Sequence, residues 1–266
     1  LNQLPMAIIA TAMGTALLPM MSRQLAKGEN DAALETQNRA LEMTLALTLP
    51  AMVGLIVLAH PIIQVLFERG AFTATATLAT SQVLIGFVVG LPAYCLIKLF
   101  TPAFFARNDT KTPVRVGAMT VAINIALNLG FIGLGMGVIG IALGTALASW
   151  MNLAILILIL RRRGFYHMDS QAKRCVPLLI LAGLVQMGLL AVTADLCQMW
   201  RDAFPILTRF GAIKIVELGG LMLWGGVLYF GTAILLGAIR PEQVKNALSM
   251  IRRKFSRKRQ NDPAIR

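Results

Sequence analysis

The chain has 266 residues, of which 57% are hydrophobic and only 14% are charged, and its mean hydropathy is +0.71. A soluble domain carries roughly 25% charged residues, so the composition excludes an ordinary soluble fold. The formal net charge of +13 would suit a nucleic-acid-binding protein only if a soluble fold gathered it on one face. The basic residues instead lie in short runs between long apolar stretches, so we expect no nucleic-acid partner.

A helix that crosses the hydrocarbon core of a bilayer needs about 20 mostly apolar residues, and several stretches meet this requirement. In chain order they are Leu4–Met21, Leu41–Leu66, Thr77–Ala106, Gly117–Met136, Val138–Leu160, Val176–Ala194 and Ala212–Ile239. The third is too long for a perpendicular span, so we expect it to be tilted or partly interfacial. Prolines interrupt the second and third stretches, at Pro50, Pro61, Pro92 and Pro102. The sequence therefore predicts an all-α, polytopic transmembrane helix bundle of about seven spans.

The distribution of basic residues between the stretches predicts their orientation. Loops on one side, together with the chain from Arg240 onward, hold most of them, including Arg23, Lys27, Arg39, Arg107, Lys111, Arg115, Arg161, Arg162, Arg163, Lys173 and Arg174. The opposite loops hold Arg69, Arg201, Arg209 and Lys214. Because cytoplasmic loops retain the positive excess, we expect the C-terminus in the cytoplasm. The basic run 252–259 is then either a topology anchor or a site of attraction for anionic lipid headgroups.

Polar residues inside the stretches are the candidates for function, because lipid offers them no hydrogen bonds. Lys98 would cost about 2.5–3.5 kcal/mol at the bilayer centre. Its ammonium group therefore either reaches the interface or faces an aqueous cavity, where it would attract an anionic substrate.

A second candidate site combines the fourth and fifth stretches. Asn124 and Asn128 share one helix face, and Thr145 lies on the following stretch. Their oxygens form a candidate site for a small cation such as Na⁺, since hard cations prefer oxygen ligands. The alternative is hydrogen bonding between the two helices, which the lack of a carboxylate in these stretches favours.

No pattern typical of an enzyme or a metal site stands out in the sequence. Cys95, Cys175 and Cys197 form no C-x-x-C pair, and the two histidines have no recognisable carboxylate or nucleophile beside them. There is no phosphate-binding Walker loop. We therefore expect neither catalysis nor a bound cofactor, with Na⁺ as the one candidate coupling ion. The chain opens at Leu1 directly into an apolar run, so we expect it to be part of a longer protein.

Three passages resemble a known family of transporters. They are the residues QLP at 3–5 with GTALLPMMS at 14–22, LFERGAFT at 66–73, and KLFTPAFFARNDTKTPV at 98–114. In this order they closely resemble MurJ (also called MviN), the family of bacterial lipid II flippases in the multidrug/oligosaccharidyl-lipid/polysaccharide exporter superfamily. The resemblance runs from Leu1 to about Thr145 and beyond that point rests on hydropathy.

The resemblance implies a fold of fourteen transmembrane helices, of which this chain would supply the eighth to the fourteenth. Residues 1–160 would then form about five helices of the second lobe, 161–239 two accessory helices and 240–266 a basic cytoplasmic tail. The implied function is the movement of lipid II, the undecaprenyl-pyrophosphate-linked peptidoglycan precursor, from the inner to the outer leaflet of the bacterial inner membrane by alternating access. The implied partners are lipid II, membrane lipids and the missing N-terminal lobe of the same protein.

The resemblance also implies site residues. The family's substrate-contacting arginines lie mostly in the first lobe, so this chain lacks them. Within the chain, a cavity lined by Thr11 and Thr15 is implied, with a cytoplasmic entrance where pyrophosphate is attracted by Lys98, Arg107 and Lys111. Alternatives are an exporter of other polyprenyl-linked glycans, a cation-coupled drug exporter, a membrane-embedded enzyme of lipid-linked sugars and a non-transporting helix bundle.

Overall fold

A computed structural model describes residues 1, 3–203 and 211–238, and within them every regular element is an α-helix. The side chains at positions 4, 8–16, 201–203 and 211–213 lie outside the description. The helices in chain order are α1 (Gln3–Ala26), α2 (Asn30–Val57), α3 (Ala59–Phe67), α4 (Ala74–Val88), α5 (Leu91–Phe105), α6 (Lys111–Gly133), α7 (Gly137–Arg162), α8 (Ser170–Ala203) and α9 (Gly211–Leu235). The predicted all-α class is confirmed.

Six segments of the described chain are long and apolar enough to cross a membrane. They are Asn30–Val57, Ala74–Phe105, Lys111–Gly133, Gly137–Arg162, Ser170–Trp200 and Lys214–Leu235. The first predicted stretch, Leu4–Met21, is helical within α1, whose side chains are only partly described. These helices follow the predicted stretches in order, so the polytopic bundle is confirmed, while the tail from 239 onward lies outside the described residues.

The second and third predicted stretches are each divided into two helices, and prolines stand where the second helix of each pair begins. Pro61 is the third residue of α3 and Pro92 the second residue of α5. A proline is tolerated there because the first N–H groups of a helix have no partner within it. Pro50 and Pro102 lie inside α2 and α5 without ending either helix.

The break between α4 and α5 is held by close contacts with α7. The indole Nε1 of Trp150 on α7 donates a hydrogen bond to the carbonyl oxygen of Val89 at 3.0 Å. A methyl group added at Gly90 would lie 2.5 Å from the hydroxyl oxygen of Tyr94 and 3.0 Å from the Cα of Ala146. A side chain at position 90 would therefore force the Tyr94 ring to move, and would crowd the backbone of α7.

The largest apolar cluster has members on seven helices, α1, α2 and α5 to α9, and includes Leu41, Phe100, Leu156, Leu179 and Tyr229. Its members on α8 and α9 pack against the same core as those on α2, α5 and α7. Because lipid tails are as apolar as these side chains, close packing rather than water exclusion holds such helices together in a membrane. By contrast, α6 packs chiefly on α7, and exposes many apolar side chains.

Polar contacts show which connections share an end of the bundle. At one end, the α5–α6 and α7–α8 connections are joined by Asp109 and Arg163, and the α7–α8 connection reaches Arg39 of α2 through Asp169. We call this the basic end, since the charge pattern assigns these segments to the same side. The connection between α3 and α4 is not part of the basic end. Its Glu68 is near enough to Lys214, at the start of α9, for the two side-chain charges to interact.

Candidate functional site

Lys98 lies on the one face of α5 that other described helices leave open. Its neighbours Leu96, Leu99 and Phe100 are buried, because α5 packs against α1, α2 and α7. Lys98 itself is exposed, and no ion pair is found for it among the described residues. A lysine within a membrane span is rare and faces water, headgroups or a protein partner rather than lipid tails. The open face of α5 is therefore the strongest candidate for contact with an anionic substrate.

Arg107 is engaged in contacts within the chain. Its Nη1 donates to the carbonyl oxygen of Ala103 at 2.9 Å, and its guanidinium carbon lies 4.7 Å from the centre of the Phe165 ring. Burial lowers the pKa of this guanidinium below its ordinary value. Such a cation–π contact is worth about 0.5–2 kcal/mol. Arg107 thus links the end of α5 to the α7–α8 connection.

Lys111 begins α6 and is exposed, next to a tightly bonded turn. The Asp109 carboxylate accepts the backbone N–H of Thr112 at 3.0 Å, which caps α6, and pairs with Arg163 at 2.5 Å. The same arginine donates to the Thr112 hydroxyl at 3.1 Å. Hydrogen bonds from Thr112, and then from Arg163, lower the pKa of Asp109 to about 2. The turn therefore fixes where Lys111 emerges at the basic end.

The structure brings together the three residues predicted as a candidate cation site. The amide of Asn128 donates to the Asn124 side-chain oxygen at 3.2 Å, and the amide of Asn124 donates to the Thr145 hydroxyl oxygen at 3.3 Å. Thr145 in turn donates to the carbonyl of Ile141 at 2.9 Å. The Asn128 side-chain oxygen is buried, and the missing Cβ of Gly144 makes room for it.

These contacts suit a hydrogen-bonded link between α6 and α7 better than an ion site made by this chain alone. The oxygens of Asn124 and Thr145 already accept hydrogen bonds, which leaves the Asn128 oxygen as the unpartnered acceptor of the three. Within the described residues, no group of three or more histidine, cysteine or carboxylate side chains is placed to hold a metal. A cation here would need further oxygens from outside this set.

A charged network at the basic end was not predicted from the sequence. Arg39 on α2 pairs with Glu42 at 2.5 Å and also with Asp169, which caps α8 through the backbone N–H of Ala172 at 2.7 Å. Glu42 is only 7% exposed and accepts a further bond from Gln171 at 3.2 Å. The spacing of Arg39 and Glu42 is that of an i,i+3 pair on a helix. Nothing in the sequence indicates that Arg39 also contacts Asp169, 130 residues further along the chain.

Two other predicted features are the threonines of α1 and the motif at 66–73, and the structure describes the side chains of only the second. Thr11 and Thr15 lie on α1, but their side chains are outside the description. The segment 66–73 forms a turn in which the Phe72 N–H donates to the Arg69 carbonyl at 3.2 Å and Gly70 adopts a φ of +61°. Phe67 and Phe72 pack with their ring centres 6.2 Å apart. This motif therefore serves to build the turn.

Together these features define a multi-pass helical membrane protein with an open, cation-bearing face on a central helix. The sequence profile of the family described as "Lipid II flippase MurJ" matches residues 1–207. The chain therefore belongs to the MurJ family, whose name and membrane helices indicate the bacterial inner membrane.

Individual relatives agree with this assignment. A probable lipid II flippase MurJ of Rhizobium meliloti (strain 1021) is 36% identical over 96% of this chain and 45% of its own length. One of Rickettsia prowazekii (strain Madrid E) is 34% identical over 89% of this chain and 46% of its own length. A solved structure of lipid II flippase MurJ in an inward closed conformation matches with a TM-score of 0.60 and 27% identity, covering 87% of this chain and 45% of that one. The chain thus spans about half the length of these relatives.

Proposed function

We propose that the protein carrying this chain moves lipid II across the bacterial inner membrane, and that this chain forms one half of the transport path. The observation that supports the proposal is the open face of α5, where exposed Lys98 lies on a helix of a MurJ family member whose other faces are buried. In this proposal the other half of the same protein covers the open face of α5, since the relatives are about twice as long as this chain.

The physical problem of such a transporter is the pyrophosphate. Burying an isolated charge in hydrocarbon costs many kcal/mol, so the headgroup needs a path with water and positive charge. Lys98 lies seven residues before the end of α5, about 10 Å from the basic end. With the basic end in the cytoplasm, as the positive-inside rule requires, this lysine is placed to attract a headgroup entering from the inner leaflet.

The lipid tail needs a different surface. The helices α8 and α9 expose large apolar side chains, among them Leu184, Val192, Leu223 and Val227. In this proposal they are accessory helices that hold the polyprenyl tail in the membrane while the headgroup crosses between the two halves.

The energy source is a separate part of the proposal. Moving one elementary charge across the membrane potential is worth about 2.3 kcal/mol per 100 mV, which is enough to bias a transport cycle. Sodium coupling through Asn124, Asn128 and Thr145 is the alternative, and it requires further ligands from the other half of the protein.

The test is complementation of a bacterium depleted of its own flippase. The full-length protein with Lys98→Met should fail to restore growth and should leave lipid II in the inner leaflet, whereas Lys98→Arg should retain function. The matched control is Lys173→Met, since Lys173 is exposed at the start of α8. Unimpaired flipping by Lys98→Met would remove this lysine from the path. Failure of the unaltered protein, when it is present in the membrane, would refute the function itself.

A further inference from the structure

One face of α2 buries a row of polar side chains inside the bundle. Gln37, Thr44 and Thr48 are each 0% exposed. Their spacings of seven and four residues put them on one face of the helix. Gln37 and Thr48 are 11 positions apart, which corresponds to about 16 Å along the helix axis.

These polar groups have no hydrogen-bond partner in the described part of the chain. Both amide atoms of Gln37 are unpartnered, and so are the hydroxyl oxygens of Thr44 and Thr48. Threonines in other helices behave differently: the hydroxyl donates to the carbonyl four residues earlier, at 2.6–2.9 Å, in Thr101, Thr120, Thr145 and Thr232. The two α2 threonines therefore lack even the hydrogen bond to their own helix.

Neighbouring residues show where the row faces. Thr36 faces α1, because its hydroxyl accepts a bond from Gln24 at 3.0 Å. Asn38 faces the α7–α8 connection, where its amide donates to the His167 carbonyl at 3.1 Å. Gln37 lies about 100° around the helix from each, and so points between them. The remaining large neighbour of α2 on this side is α5, whose Phe100 shares the apolar cluster with Leu41.

We propose that ordered water molecules occupy this seam between α1, α2 and α5, and bridge Gln37, Thr44 and Thr48. Buried polar groups in proteins are almost always hydrogen-bonded, and buried water typically supplies about three bonds to groups that lack a protein partner. Water suits the site better than a metal ion, because the nearest carboxylate on α2, Glu42, is turned towards Arg39 and Gln171.

The seam would give α2 and α5 a contact that can change without leaving a polar group unpaired. Water-mediated bonds exchange partners easily and are nearly as favourable as direct ones. Two helices joined in this way can shift along each other, whereas interlocked apolar side chains resist such a shift. The tests of the water site measure thermal unfolding and the oxidation of side chains, so their outcome does not depend on whether the protein transports lipid II.

The first test replaces each threonine by a residue of the same shape. Thr44→Val and Thr48→Val should lower the midpoint of thermal unfolding by more than Thr120→Val, whose parent hydroxyl bonds to its own helix. Serine at position 44 or 48 should restore much of the loss, because it keeps the hydroxyl. If the seam is dry, each threonine hydroxyl is buried without a hydrogen-bond partner and destabilises the fold, so its removal should not lower the midpoint. A midpoint that rises or stays level in both valine variants would therefore overturn the proposal.

The second test detects the water directly by brief radiolysis, which makes hydroxyl radicals from water bound inside the protein. Leu41 lies between Gln37 and Thr44 on the proposed seam, and Ile63 is an equally buried aliphatic residue in a separate cluster. We expect oxidation of Leu41 but not of Ile63, and a decrease at Leu41 when Thr44 is replaced by valine. Equal protection of both residues in the unaltered protein would show that the seam is dry.

Discussion

Replacing Arg39 by methionine should destabilise the protein strongly, because it removes the partner of a buried charge. Glu42 is only 7% exposed, and Arg39 binds both of its oxygens, at 2.5 and 2.6 Å. Breaking a buried ion pair by removing one partner costs about 3–5 kcal/mol. Gln171 still donates to Glu42, so we expect the lower end of this range. The partly exposed contact with Asp169 adds at most about 1 kcal/mol.

The assay is a denaturant titration of the protein in lipid nanodiscs, with the free energy of unfolding as the readout. The variant Glu42→Gln removes the charge but keeps an oxygen, so it should cost less than Arg39→Met. The double variant should then be more stable than Arg39→Met alone, because no uncompensated carboxylate remains. Arg115→Met, at an exposed position on α6, is the matched control. A loss below about 1 kcal/mol in Arg39→Met, or a double variant less stable than both single ones, would refute the reasoning.

Three further predictions concern the turn, the helix break and the polar link. The lowered pKa of Asp109 means that its carboxylate stabilises the fold above about pH 4, and that this contribution of about 0.5–1 kcal/mol is lost as the pH falls towards 2. Asp109→Asn should flatten this part of the pH profile of unfolding while keeping the helix cap. Gly90→Ala should lower stability by about 1–3 kcal/mol, because the added methyl group overlaps the Tyr94 ring and crowds the α7 backbone at Ala146, whereas Gly117→Ala, in open space, should be neutral or better. Asn128→Leu should abolish any sodium dependence of lipid II transport by the full-length protein.

Each of these has an outcome that contradicts it. An Asp109→Asn variant with the same acid profile as the unaltered protein would show that this carboxylate does not contribute there. Equal stability of Gly90→Ala and Gly117→Ala would mean that the α4–α5 break has room to relax. Sodium dependence that persists in Asn128→Leu would remove the cation role and leave the hydrogen-bonded link between α6 and α7.

The sequence predicted the helices better than their ends. Apolar length is a strong signal in a membrane, so the order of the helices was predictable. Of the four prolines predicted to interrupt the stretches, Pro61 and Pro92 lie at helix breaks, whereas Pro50 and Pro102 lie inside continuous helices. The boundaries were less accurate: α8 extends over Ser170–Ala203, whereas the prediction was Val176–Ala194. Hydropathy marks only the part within hydrocarbon, while a helix continues into water as long as its caps and contacts allow.

Contacts between distant residues were predictable only where adjacent helices carry matched polar groups. The meeting of Asn124 with Thr145 was expected because the two helices follow each other with a short turn between them. The links from Arg39 to Asp169 and from Arg107 to Phe165 were not, since they depend on how α2 and α5 pack against a connection far along the chain. Nor was the unpartnered row on α2 predicted: Gln37 lies before the predicted stretch Leu41–Leu66, while Thr44 and Thr48 lie within it.

The most direct measurement is the water and substrate accessibility of the open face of α5 in the full-length protein. With Cys95, Cys175 and Cys197 replaced by alanine and Lys98 kept, the variant Thr101→Cys is treated with a charged, membrane-impermeant thiol reagent with and without lipid II. Thr101 is partly exposed and lies three residues after Lys98, on the same face of α5. Leu129→Cys, on the exposed apolar face of α6, serves as the lipid-facing control. We predict rapid labelling at position 101, protection by lipid II, and no labelling at position 129. Equal reactivity at the two positions, or labelling at 101 that lipid II leaves unchanged, would contradict a lipid II path along α5.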